Sequence, residues 1–382
     1  MHVGICPWAA CTLVAAASVS SWATPTEWLD PASAEAATDG KVLWYDVLNL
    51  GLEGRGWADT ATPYDRLPAT AEAKVPAAVW GLSLNSAGMC VRFVTDATTL
   101  QAHWVLRSAT LGMNHMPATG VSGLDLYVRT PDRGWRWVAV GRPESTDVTT
   151  TLIGDMPPGE REFLLYLPLY NGVSSVKVGV PAGARLGKAP ARNPGRSRPL
   201  VFYGTSITQG GCASRPGMVH TAILGRRLDL PVINLGFSGA GRMEPALAEL
   251  LAQLDPAVYV LDCLPNMGAA EVTERLEPFV RILRQAHPDT PILMVEDRTY
   301  ANAFISAGAR AHNETSRAAH KAAYERLQAA GVIGLHYLAG DGLLGADGED
   351  TVDGSHPTDL GFMRQAAAME PALRPLLGGG GH

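Results

Sequence analysis

Leu200-Val-Phe-Tyr-Gly-Thr-Ser-Ile-Thr-Gln-Gly-Gly211 is the stretch from which the fold of the second half of the chain is read. An apolar, strand-like run stops at Gly204, Ser206 follows two residues later, and glycines and hydroxyl residues crowd the turn before helix-like sequence begins. A strand that ends in this way presents its serine at the carboxyl edge of a sheet, where open α/β folds place their reactive groups. The N–H groups of the following helix end can stabilise an anion there. Serine is also a common turn residue. Its chemistry therefore depends on finding a base, an acid and oxyanion donors elsewhere in the chain.

Downstream of this stretch, short buried-strand runs at 200–203, 232–235, 258–261 and 292–295 alternate with helical patterns at 244–253, 271–286 and 315–330. Alternation of this kind predicts an α/β domain over 199–378, with a parallel sheet covered by helices on both faces. Upstream, the pattern changes. Runs such as Lys41-Val-Leu-Trp-Tyr, Leu100-Gln-Ala-His-Trp-Val-Leu, Trp135-Arg-Trp-Val-Ala-Val and Val176-Lys-Val-Gly-Val alternate apolar with polar residues, and turn residues separate them. They predict an antiparallel β-sandwich over 40–182. Between the two, residues 183–198 are rich in Pro, Gly, Ala and Arg and read as a linker. All nine tryptophans precede that linker. Indole faces can stack on sugar rings, but filling the sandwich core is the expected use of most of them.

The 382 residues carry a net charge of −6, which supplies no electrostatic case for nucleic acid or an anionic membrane. The apolar, small-residue-rich start from Cys6 to Val19, followed by Ser21-Trp22-Ala23, resembles a secretory signal peptide over residues 1–23, although its first residues lack Lys and Arg. No later run reaches the ~20 apolar residues of a membrane span, so a secreted or periplasmic protein is expected. Removal of that segment leaves Cys90, Cys212 and Cys263. An odd number is no disulfide framework. A Cys212–Cys263 bridge is open, with two buried thiols the favoured alternative, and the spacing fits no zinc site.

The missing base lies near the C-terminus, in Thr351-Val-Asp-Gly-Ser-His-Pro-Thr-Asp-Leu-Gly361. Asp353 and His356 are three apart, so in a turn the carboxylate can accept from the Nδ1–H of its neighbour and leave Nε2 facing a nucleophile. Other histidines, such as His220, His312 and His320, sit in helical patterns and read as surface or packing residues. Oxyanion donors are expected at the ends of the next two strands. Asn234-Leu-Gly-Phe-Ser-Gly-Ala-Gly-Arg242 lets backbone N–H groups approach closely, and Asn266 in Asp262-Cys-Leu-Pro-Asn-Met267 offers an amide.

Gly204-Thr-Ser-Ile, Asn234-x-Gly-x-x-Gly239, Asn266 and Asp353-x-x-His356 together resemble the four blocks of the SGNH (GDSL-like) hydrolases. Gly211-Cys-Ala-Ser-Arg-Pro-Gly217 and Gly123-Leu-Asp-Leu-Tyr127 resemble, more closely, the bacterial subgroup with an N-terminal GxDLY β-domain. The resemblance covers about residues 40–375. It implies a flavodoxin-like, three-layer α/β/α hydrolase domain behind a jelly-roll-like sandwich. It also implies Ser206 as nucleophile, His356 as general base and Asp353 as orienting acid. The oxyanion hole it implies is the N–H groups of Ser206 and Gly239 with the Asn266 side chain. Two departures stand out. Ser206 lies outside the Gly-x-Ser-x-Gly elbow of α/β-hydrolases, and the third block reads Leu-Pro-Asn-Met instead of Gly-x-Asn-Asp.

The implied chemistry is two-step acyl transfer needing no metal or organic cofactor. The resemblance favours a short-chain ester, acetyl on a glycan foremost. An acyltransferase and a non-catalytic glycan-binding protein are the alternatives. The oligomeric state is not encoded. Further substrate contacts are expected from Asn114 and His115, in Leu111-Gly-Met-Asn-His-Met-Pro-Ala-Thr119, and from Arg215 and Arg298, with salt bridging the alternative for Arg298.

Overall fold

A computed structural model describes residues 26–378, so the signal-like segment lies outside the described residues. The five strands after residue 199 are Leu200–Gly204, Val232–Gly236, Val258–Asp262, Ile292–Val295 and Leu335–Leu338. They pair in parallel, in the spatial order second, first, third, fourth, fifth. That is the flavodoxin-like order, and its switch point lies between the first and third strands. Every residue of Leu200–Gly204 is buried, because helices cover the sheet on both sides. His220–Leu228 and Asp359–Leu373 lie on one face. Pro245–Leu251, Ala269–Ala286 and Ala307–Ala329 lie on the other. Parallel strands buried on both faces explain the unbroken apolar runs in the sequence.

The upstream region forms two antiparallel sheets. One orders Glu35–Ala36, Val42–Asp46, Val173–Pro181, Leu100–Leu106 and Asp147–Ile153. The other runs from Leu186–Lys188 through Cys90–Thr95, Arg161–Tyr166 and Leu124–Thr130 to Gly134–Gly141. Alternate inward side chains, Trp104, Phe93, Phe163 and Leu165 among them, fill the layer between the sheets. Two features differ from the sequence expectation. Leu186–Lys188, within the stretch read as linker, pairs with Phe93–Thr95 as an edge strand. Ala77–Ser83 is a helix inside the region read as all strand. Its seven residues are too few for a periodic signal, and it is held by burying Val79 and Ser83, one turn apart.

The sandwich does not hang from the α/β domain as a separate module. Ala87, Val121, Tyr127, Leu164, Tyr166 and Leu169 share one core with Phe202, Ile207 and Ile223 beneath one face of the parallel sheet. Trp57, Leu67, Val75 and Val79 join the core on the other face. The N-terminal region thus reaches both sides of the sheet that carries Ser206.

Candidate active site

Ser206 opens the short Ser206–Gln209 helix at the end of the first parallel strand. Its Oγ lies 2.8 Å from Nε2 of His356, 150 positions downstream. On the other side of the ring, Nδ1 lies 2.8 Å from Asp353 Oδ2. Asp353 Oδ1 accepts from the backbone N–H groups of His356 at 2.8 Å and Ser355 at 3.0 Å. Partial burial raises the Asp353 pKa, but these donors and the His356 ring outweigh it and hold the carboxyl below its ordinary range. An ionised carboxylate opposite Nδ1 assigns the ring proton to that nitrogen and leaves Nε2 to accept from Ser206.

The serine turn is held from every direction. The Thr205 hydroxyl caps it by accepting from Ile207 N at 3.3 Å. The Ser206 carbonyl accepts from Gly210 N at 3.0 Å, Gly211 N at 2.7 Å and the Tyr170 hydroxyl at 3.0 Å. Thr208 donates from Oγ1 to Asp262 at 3.2 Å, and its carbonyl accepts from the Asn234 amide at 2.6 Å. Gln209 donates to Leu169 O and Asn85 Oδ1, while its own Oε1 accepts from Ser238 N at 3.1 Å. Beneath the turn, burial raises the Asp262 pKa to about 7 and lowers that of His220, 3.8 Å from it, to about 3. His220 is therefore a neutral packing residue, stacked on Phe362.

Gly239 and Asn266 follow the two strands that flank the first one. The N–H groups of Ser206 and Gly239 have no acceptor among the described residues, and Gly239 is exposed. The Asn266 amide donates one hydrogen bond, to Gly241 O at 3.2 Å, and has a second N–H to offer. Gly241 brings this loop against the serine strand, because a Cβ on it would lie 1.9 Å from Gly204 O. Only glycine permits that approach.

The structure separates the four expected substrate contacts into two pairs. Asn114 and His115 are exposed, and the His115 ring centroid lies 6.2 Å from that of His356. Their loop is moored by Thr119, whose hydroxyl donates to Ser214 O at 2.6 Å. Arg215 and Arg298 are elsewhere engaged. Arg215 donates to the buried Asp125 at 2.8 Å and to the Tyr127 hydroxyl, and lies over the Trp137 ring. It therefore docks the Gly123-Leu-Asp-Leu-Tyr127 segment, whose Asp125 also accepts from Gly217 N at 2.8 Å. Arg298 is 1 % exposed and ion-paired with Asp297 at 2.8 Å. Arg298, buried in the ion pair that stood as its alternative, is not placed to meet a substrate, while Arg215 is tied to Asp125 but keeps part of its side chain at the surface. Of the two readings left open for Cys212 and Cys263, the structure has the favoured one: Cys90, Cys212 and Cys263 are buried free thiols.

Sequence reasoning missed Tyr170, Gln209 and Asn85. Tyr170 sits in an ordinary turn between two strands and meets Ser206 only because the domains pack together. Asp262 ends the third parallel strand, and nothing in its spacing links it to Thr208, whose hydroxyl donates to it.

Comparisons with known proteins follow the same division of the chain. Residues 197–374 match the model of the GDSL-like Lipase/Acylhydrolase family, and residues 42–186 match that of the N-terminus of Esterase_SGNH_hydro-type. A GDSL-like lipase from Bacteroides ovatus is 35% identical, with a TM-score of 0.83, over 88% of this chain and 98% of its own. The salicylyl-acyltransferase SsfX3 of a tetracycline biosynthetic pathway shares the fold at 19% identity and a TM-score of 0.68, over 90% of this chain and 97% of its own. A family two carbohydrate esterase from Clostridium thermocellum, in complex with cellohexaose, does so at 15% and 0.55, over 76% of this chain and 93% of its own. Comparison with curated protein sequences gives no match.

Proposed function

Because this chain belongs to the GDSL-like lipase/acylhydrolase family, we propose that it hydrolyses short-chain esters, acetyl foremost, carried on a carbohydrate. The observation that carries the proposal is the unbroken line of 2.8 Å contacts from Ser206 through His356 to Asp353. His356 Nε2 takes the Ser206 proton as Oγ attacks the ester carbonyl. The resulting oxyanion meets the N–H groups of Ser206 and Gly239 and the free N–H of Asn266. Collapse breaks the bond to the alcohol, which leaves with the proton from His356, and an acyl-serine remains. Water then gives its proton to Nε2, attacks the acyl carbon and releases the acid, restoring Ser206. Asp353 stays ionised throughout and stabilises the transient imidazolium.

Asn114 and His115 are our candidates for contacts to the departing alcohol, because they stand exposed beside His356. The carbohydrate assignment draws support from the fold shared with a carbohydrate esterase. We also place the enzyme outside the cytoplasm, on the apolar run from Cys6 to Val19. Cell fractionation checks that, and recovery of the full-length chain in the cytoplasm would refute it.

Turnover of p-nitrophenyl acetate by the wild type and Ser206→Ala tests the nucleophile. A fall of about 10⁴-fold or more is expected, and equal rates would remove the assignment. Acetate release from a panel of acetylated glycans then tests the substrate class. The fold shared with an acyltransferase keeps acyl transfer as a second reading. Added alcohols that divert most of the acyl group from water would favour it.

A further inference from the structure

We infer that Tyr170, supplied by the β-domain, is a positioning residue for the reaction, holding the Ser206 turn in place across the domain junction. The inference rests on the esterase proposal above.

Tyr170 follows the Arg161–Tyr166 strand, and its hydroxyl crosses the domain junction to donate to the Ser206 carbonyl at 3.0 Å. One phenol of the β-domain thus touches the residue proposed to attack. Burial raises its pKa, so it remains a protonated donor. A further neighbour is Gly211. A Cβ there would lie 3.0 Å from the Tyr170 oxygen and 3.3 Å from His356 Cδ2, so this residue is wedged between the phenol and the catalytic ring.

A second bridge runs beside the first. Gln209 donates to Leu169 O, next to Tyr170, and accepts from Ser238 N at 3.1 Å. Gly210, at φ +114°, presses on the Leu169 side chain, which a Cβ would meet at 2.7 Å. The turn formed by Leu169 and Tyr170 is therefore the floor against which serine, oxyanion loop and histidine are aligned. Preorganised geometry of this kind acts on the chemical step, where small displacements are costly, more than on substrate binding.

The test compares wild type, Ser206→Ala and Tyr170→Phe, all as the full chain, on p-nitrophenyl acetate. Tyr170→Phe keeps the ring and removes only the hydroxyl. It is expected to lower kcat about tenfold with KM within about twofold, the signature of an interaction realised in the transition state. Its melting temperature should fall by no more than about 3 °C. An unchanged kcat in Tyr170→Phe, or a rise in KM alone, would each overturn the inference. If Ser206→Ala matched the wild type, the esterase proposal itself would fall, and this inference with it. An inactive Ser206→Ala beside an unimpaired Tyr170→Phe would sink only the role of Tyr170.

Discussion

The serine turn and the histidine turn meet across one 2.8 Å hydrogen bond, yet they are built in opposite ways. Ser206 to Gln209 are all buried, and their polar groups are tied to Asp262, Asn234, Ser238, Leu169, Asn85 and Tyr170, residues drawn from both domains. Asp353 and His356 are partly exposed and hold each other through local bonds within one turn. Few outside ties reach that turn, such as Ala301 N donating to Gly354 O at 2.9 Å. A short i, i+3 pair can orient itself because its geometry is set by the turn's own backbone. A serine at a strand end cannot, since its neighbours come from distant parts of the chain.

That contrast can be broken at several points. The largest effect is expected at the self-contained turn. His356→Ala should lower kcat by about 10⁴-fold, while circular dichroism and melting temperature stay close to wild type because little packing is lost. Next comes Asn266→Ala, expected to cost about 10²–10³ in kcat with a small change in KM. Steady-state kinetics measures both, and an Asn266→Ala enzyme of normal kcat would remove that residue from the oxyanion hole.

Changes on the tertiary side should register as stability. Arg66 is 1 % exposed and donates to the carbonyls of Leu82, Asn85, Asn234 and Gly236. Arg66→Met would leave these carbonyls without that partner and should cost about 3 kcal/mol or more in urea denaturation. A variant as stable as wild type would show that the junction does not depend on this side chain.

The smallest effect concerns pH. Burial raises the Asp262 pKa from 3.8 to about 7, so the folded state holds this proton more tightly than the unfolded chain. The stability so contributed is full below the unfolded value and is lost as pH rises through the folded one. Asp262→Asn removes this dependence while keeping an acceptor for Thr208. The melting temperature of the variant relative to wild type should therefore be higher at pH 8 than at pH 5. A difference that stays constant with pH would show that Asp262 keeps its charge inside the fold.

Legibility in the sequence followed how each element is buried. Ile292–Val295 stands out as an apolar run because both of its faces are covered, whereas Leu335–Leu338, the edge strand beside it, is only partly buried and was not anticipated. Asp147–Ile153 was overlooked for a related reason. Its run of threonines lies on a half-exposed sheet edge, where no strong alternation is required. Arg215 lies in the loop after Ser206, and its guanidinium turns toward the buried Asp125 far upstream, a choice that no local pattern records; Arg298 pairs with its sequence neighbour Asp297, the alternative its place beside an acid already offered.

By itself, the sequence determined the alternation of strands and helices, the place where the first parallel strand breaks into Ser206, and the Asp353–His356 pair. Each depends on residues near one another in the chain, through hydrophobic period, turn chemistry or the reach of one side chain. Only the tertiary structure decided that Ser206 faces His356, that Asp125 and Tyr127 dock on Arg215, and that Tyr170 reaches the Ser206 carbonyl from another domain. Those contacts join residues 36 to 150 positions apart. They form because burying the shared apolar face of sandwich and sheet brings the two together, and the polar bonds follow from that burial.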